Sequence, residues 1–111
     1  MTQWDVQFTE EAEEDRAALN LSVRKQVNRA IFKVAQNPLP KSEGGYGEPL
    51  GNKHGINLTG HCKIKLRKAG IRIVYKIVRT ETVMRIIVIA ARADDEVYEI
   101  AAARIMQEQK R

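Results

Sequence analysis

Apolar and polar side chains change rhythm several times along this chain, and each change marks an element. Trp4, Val6 and Phe8 alternate with polar neighbours over residues 3–8, the two-residue period of a half-buried strand. Thr9 follows as a helix N-cap, and Glu10, Glu11, Glu13 and Glu14 suit the positive end of a helix dipole. The apolar face of this first helix is thin: Ala12, Ala17 and Leu19. Asn20 or Ser22 restarts a helix in which Val23, Val27, Ala30, Ile31 and Val34 recur at spacings of three and four, forming one buried stripe. Asn37-Pro38 ends it, because proline disfavours the α region in the residue before it. Two helices joined so closely read as a helical hairpin.

The rhythm then disappears. Residues 38–60 hold all three prolines and six of the seven glycines, so this stretch is expected as a long loop with scraps of regular structure at most. Three strands are predicted at residues 62–67, 70–79 and 82–90. Lys68-Ala69 and Thr80-Glu81 are the expected turns, with Gly70 free to take a positive φ beside the first. Connections this tight imply an antiparallel meander. Residues 94–107 form a last helix, begun by Asp94, Asp95 and Glu96 and carrying Val97, Ile100, Ala101 and Ile105 as its apolar stripe. The predicted architecture is a single α+β domain over residues 1–111 in the order β-α-α-β-β-β-α. The helical hairpin packs on an antiparallel sheet and a helix closes the chain.

Composition narrows the class. With 43% hydrophobic and 30% charged residues in 111, the chain can bury one modest core. No apolar run approaches the ~20 residues a membrane span needs. The first residues lack the basic flank and apolar stretch of a signal peptide. A single cysteine, Cys62, allows neither an internal disulfide nor a cysteine-cluster metal site. These features together point to the cytoplasm.

Charge adds more once it is localised. The net charge is +5, yet residues 61–92 alone hold nine Lys and Arg against one acid, Glu81, a local +8. Such a concentration is an electrostatic footprint for a polyanion, although a solvated sheet face would look similar. Within it, Cys62, Ile64 and Leu66 point to one side of a strand and Lys63, Lys65 and Arg67 to the other. A two-residue turn at Lys68-Ala69 sets Lys65 opposite Arg72, with Cβ atoms about 5 Å apart. Like charges there repel unless something anionic sits between them. Lysines on a strand face also guard sheet edges, which accounts for Lys63 and Lys65 as well as a site does. It accounts less well for Arg72, a cation flanked by Ile71 and Ile73.

Other chemistry finds little support. His54 and His61 are the only histidines, and neither has a carboxylate or cysteine at a telling spacing, so neither a metal site nor a histidine nuclease pair is expected. Cys62 points inward and reads as an inert thiol. Trp4, Phe8 and Tyr75 read as core. No phosphate-binding or dinucleotide glycine pattern occurs, and no cofactor is implied.

The run from Cys62 to Tyr75 (CKIKLRKAGIRIVY) resembles the central strands of RelE-type toxins of bacterial toxin–antitoxin modules, in the RelE/ParE superfamily. Residues Arg92 to Tyr98 (RADDEVY) resemble the strand-to-helix segment of the same family. The resemblance implies cleavage of messenger RNA in the ribosomal A site, leaving a 2′,3′-cyclic phosphate and a 5′-hydroxyl, without a metal ion or small-molecule cofactor. It places an active-site lysine pair on Lys63 and Lys65, a phosphate-steadying arginine on Arg72, a general acid on Arg92 and a nucleotide-packing tyrosine on Tyr98. It implies two partners, a cognate antitoxin and a ribosome carrying message, with the 16S ribosomal RNA backbone as contact. The glycine-rich stretch around residues 42–60 is longer than in short members of the family.

Transesterification needs a base for the 2′-hydroxyl, stabilisation of the phosphorane and an acid for the leaving oxygen. Cations can serve all three roles, so the expected site gathers positive side chains around one phosphodiester with no carboxylate or imidazole among them. Two alternatives remain at this level. A ParE-like toxin would poison gyrase by binding alone. A generic basic RNA-binding domain would be expected to carry more aromatic residues than the 5% found.

Overall fold

The computed structural model describes residues 4–53 and 56–109. Val6 and Phe8 turn inward from β1 (Asp5–Phe8), in the alternation the sequence predicts; Gln3 lies outside the described residues. Thr9 caps α1 (Glu10–Ala17), its Oγ1 accepting a hydrogen bond from the Ala12 N–H at 3.1 Å. Of the expected thin face Ala12 is buried, Leu19 half-buried and Ala17 exposed. Asn20 caps α2 (Leu21–Ala35), its Oδ1 accepting from the Val23 N–H at 2.9 Å. Val27, Ile31 and Val34 form the buried part of the predicted stripe.

The stretch 38–60 is not the plain loop its composition suggested. A 3₁₀ turn at Lys41–Glu43 leads into β2 (Glu48–Lys53), which pairs antiparallel with β3 (Ile56–Leu66). β3 therefore begins well before residue 62. Proline and glycine hid both features. β2 is the last strand of the sheet, where a missing N–H is tolerated, and Gly51 takes φ +60° where the register slips between Pro49 and Gly51.

β4 (Ile71–Val78), β5 (Val83–Ala90) and α3 (Asp94–Gln109) complete the chain close to the predicted bounds. Between β3 and β4 the Gly70 N–H donates to the Arg67 carbonyl at 3.3 Å, and Gly70 takes φ +68°. The sheet order is β1-β5-β4-β3-β2. The meander β3-β4-β5 is antiparallel as expected, but β1 joins β5 in parallel, so the sheet is mixed rather than purely antiparallel.

Helices cover both faces. Ala12, Val27 and Ile31 of the hairpin pack on Cys62, Ile64, Ile73, Tyr75 and Ile86. Val97, Tyr98 and Ala101 of α3 pack on the opposite face, against Leu58, Val74, Ile87 and Val88. β5 is buried on both sides beyond Arg85, which explains the unbroken apolar run from Ile86 to Ala90. Beyond Ile86, where β1 ends, side chains take over that edge of β5. The Asp15 carboxylate accepts from the Ile89 N–H at 3.0 Å, and Arg104 donates to the Ile87 carbonyl at 2.9 Å and to Asp15 at 2.7 Å. On the hairpin face Tyr75 Oη donates to the Pro38 carbonyl at 2.7 Å, with the buried Gly47 beside it. Among the described residues no helix is long and apolar enough to cross a membrane.

Candidate active site

The cationic side chains lie on the α3 face of the sheet. Strand alternation sends Cys62 and Ile64 into the hairpin core, so Lys63 and Lys65 emerge on the other side. Lys65 pairs with Arg72 across β3 and β4, the predicted register. Lys63 does not guard an edge, because β2 covers β3 there through the Glu48–Lys63 pair.

α3 completes the arrangement. Lys63 Nζ donates to Tyr98 Oη at 3.0 Å and to Asp94 Oδ2 at 3.4 Å, and lies 5.7 Å from the Tyr98 ring centroid. Arg72 Nε donates to Asp94 Oδ1 at 2.7 Å. Lys63 and Arg72 thus meet at Asp94, the first residue of α3, and Tyr98 joins them through Lys63. Lys65 shares the face and the register, but its ammonium makes no hydrogen bond or ion pair with the side chains of the described residues. Arg92 turns away: its guanidinium is 59% exposed and pairs with Glu96 at 3.3 Å. An exposed i,i+4 pair holds an arginine with only about 0.3–0.5 kcal/mol, so this side chain is free to reorient. Tyr98 is 4% exposed, and in this conformation its hydroxyl serves Lys63.

The electrostatics follow from these contacts. The hydrogen bond from Arg72 holds the Asp94 carboxyl below its usual range; partial burial opposes this and the Lys63 charge adds to it. Burial works to lower the Lys63 pKa, but the hydrogen bond and charge interaction with Tyr98 and the Asp94 carboxylate outweigh it and leave the ammonium above its ordinary value. Lys63 therefore keeps its proton. The like-charge crowding expected from sequence is relieved by a carboxylate the chain itself provides.

Asp94 is thus a residue that sequence reasoning missed, and it corrects the picture of an all-cationic site. The signal was present: Asp94, Val97, Tyr98 and Ala101 follow the i, i+3, i+4, i+7 spacing of one helix face, so Asp94 heads the stripe that packs on the sheet. His61 is buried on β3, its Nδ1 3.2 Å from the Thr59 carbonyl, and burial lowers its pKa. Cys62 is a buried thiol with its pKa raised by burial, as its inward direction implied. His54 lies outside the described residues. Among the described residues no group of three or more His, Cys, Asp or Glu is placed to hold a metal ion.

Comparison with known proteins places the chain. Residues 6–96 match the family described as ParE toxin of type II toxin-antitoxin system, parDE. The mRNA interferase toxin RelE of Escherichia coli K12 is 30% identical over 100 residues, covering 89% of this chain and 94% of that protein. The fold of a mutant E. coli toxin RelE in the free state superposes with a TM-score of 0.71 at 26% identity, covering 94% of this chain and 99% of the other. The same toxin in complex with an antitoxin RelBc peptide gives 0.66 at 25% identity, covering 90% and 95%. On the extent of these matches and the shared fold, the chain belongs to the RelE/ParE family of type II toxins.

Proposed function

We propose that this protein is an endoribonuclease toxin that cuts messenger RNA in the ribosomal A site, in the cytoplasm, and is neutralised by a cognate antitoxin. One observation carries the reading: Lys63, Lys65 and Arg72, from two neighbouring strands, present their charges on one face at the first turn of α3. E. coli RelE, similar over nearly the whole chain, bears the name mRNA interferase and has been solved with an antitoxin peptide, which supports both halves of the proposal.

In this reading the 2′-hydroxyl oxygen attacks the adjacent phosphorus, the 5′-oxygen departs, and a 2′,3′-cyclic phosphate and a 5′-hydroxyl result. Lys65, acting as the neutral amine, takes up the 2′-hydroxyl proton and becomes an ammonium, whereas Lys63, hydrogen-bonded to Tyr98, keeps its own. Lys63 and Arg72 stabilise the charge that grows on the phosphorane. Arg92 swings from Glu96 to protonate the leaving oxygen, and Tyr98 fixes Lys63. Cations alone orient RNA poorly, so the rate on free RNA is modest and the ribosome raises it by fixing the geometry of the message. The 16S ribosomal RNA backbone supplies the docking surface.

Single alanine replacements at Lys65, Arg72 and Arg92, induced in growing cells, test the proposal. Each is expected to lower message cleavage about 100-fold or more, read by mapping new 5′ ends in translated frames. Undiminished growth arrest in all three variants removes the nuclease reading. The family model's description as a ParE toxin keeps a second reading in view, gyrase poisoning without RNA cleavage. Supercoiling defects with no new 5′ ends would select it.

A further inference from the structure

Asp94 does more than start a helix. Its Oδ1 accepts from Arg72 Nε at 2.7 Å and its Oδ2 from Lys63 Nζ at 3.4 Å, so each oxygen serves a different strand. The two non-bridging oxygens of a phosphodiester would be divided between the same two cations in the same way. The carboxylate is 34% exposed, while Lys63 and Arg72 are 17% and 19% exposed, so the anion is the more open partner and the cations are screened by it. Both groups are monoanions, and while Asp94 bridges Arg72 Nε and Lys63 Nζ a phosphate cannot bridge the same two donors.

We propose that Asp94 is an internal stand-in for the scissile phosphate, occupying its seat between Lys63 and Arg72 until RNA displaces it. This rests on the nuclease reading for the identity of the incoming anion. The consequence is selectivity. A carboxylate tethered to the same chain competes at the high effective concentration of an intramolecular group. RNA diffusing freely meets that competition unaided. RNA held beside the site by a larger assembly is itself intramolecular and can win. Asp94 therefore suppresses binding of unheld RNA while leaving the cations aligned, and Tyr98 retains Lys63 when the carboxylate leaves. A purely structural Asp94, tying α3 to the sheet, predicts the opposite sign on its removal: looser cations and weaker binding.

The experiment uses the full chain and a fluorescent single-stranded RNA that is 2′-O-methylated throughout, so that it lacks the attacking hydroxyl. Anisotropy at fixed ionic strength gives the Kd for wild type, Asp94→Asn, Arg72→Ala, the double variant, and Glu14→Gln, which removes the same charge from an exposed position on α1. Asp94→Asn is expected to bind about tenfold more tightly, the scale of one competing charged hydrogen bond. Glu14→Gln is expected to stay within about twofold of wild type, because an exposed charge away from the site is screened. In the Arg72→Ala background the gain from Asp94→Asn should largely vanish, since the contested donor is gone. Binding by Asp94→Asn that is equal to or weaker than wild type overturns the proposal, as does a gain matched by Glu14→Gln or undiminished without Arg72. Circular dichroism checks each fold; if Asp94→Asn does not fold, Asp94→Ser, which keeps a side-chain oxygen for the helix start, is read by the same criteria. The outcomes separate from those of the nuclease test. Wild-type cleavage with no gain in Asp94→Asn sinks only the stand-in. A gain in binding with no cleavage by any variant sinks only the nuclease.

Discussion

Lys63 and Asp94 illustrate how neighbouring charges set each other's chemistry. With its pKa depressed mainly by Arg72, Asp94 contributes stability that is fully present above the ordinary carboxylate value of 3.8 and is lost as pH falls through the lowered folded value. Wild type should therefore exceed Asp94→Asn in stability at pH 7, by about 1 kcal/mol after allowance for partial exposure. Urea midpoints at pH 7 and at pH 3 check this, and a gap that stayed undiminished in acid would show that the charge is not what Asp94 contributes. The facing of Lys65 and Arg72 could be read from sequence because strand alternation and a short turn leave one register. Helix-start chemistry alone does not single out Asp94, since Asp95 and Glu96 suit that position equally. What separates Asp94 is its spacing from Val97, Tyr98 and Ala101, and that spacing gains its meaning only once α3 is known to dock that face on the sheet.

At the scale of elements, local chemistry was most readable where one residue type has one use. Thr9 and Asn20 cap their helices as their types and positions suggested. Replacing Thr9 by alanine should cost about 1 kcal/mol in urea unfolding, the usual worth of a cap. β2 was unreadable because Pro49 and Gly51 argue against a strand everywhere except at an edge and a bulge, and edge position is a property of the sheet. The segment before β2 is pinned by the Tyr75–Pro38 hydrogen bond. A Cβ at Gly47 would stand 2.3 Å from Tyr75 Oη and 2.9 Å from Cys62 Sγ. Gly47→Ala is expected to destabilise the protein by about 1–3 kcal/mol, as overpacking does, and an unchanged urea midpoint would mean that this segment yields freely. The Asp15–Arg104 clamp on the open edge of β5 is likewise invisible in sequence, because its partners come from opposite ends of the chain. Asp15→Ala should cost about 2 kcal/mol, since it strands the Ile89 N–H as well as the guanidinium.

For the molecule as a whole, the sheet sorts its functions by face, with the hairpin supplying most of the core on one side and α3 framing the cations on the other. Binding that relies on Lys63, Lys65 and Arg72 should be salt-dependent. With about three phosphates neutralised at roughly 0.7 each for a single strand, log affinity should fall against log salt with a slope near −2. A slope near zero in anisotropy titrations would place the RNA elsewhere. The parallel seat of β1 beside β5 sets the order of events during synthesis. Hairpins among β3, β4 and β5 can close as each strand is made, but β1 has no partner until Val83–Ile86 exist. A nascent chain thus carries its amino-terminal strand unmated while most of the sheet assembles. The sheet closes only once β5 exists, and α3, later still in the chain, must follow before Asp94 and Tyr98 reach the cations, so the candidate site is assembled after the sheet that carries it.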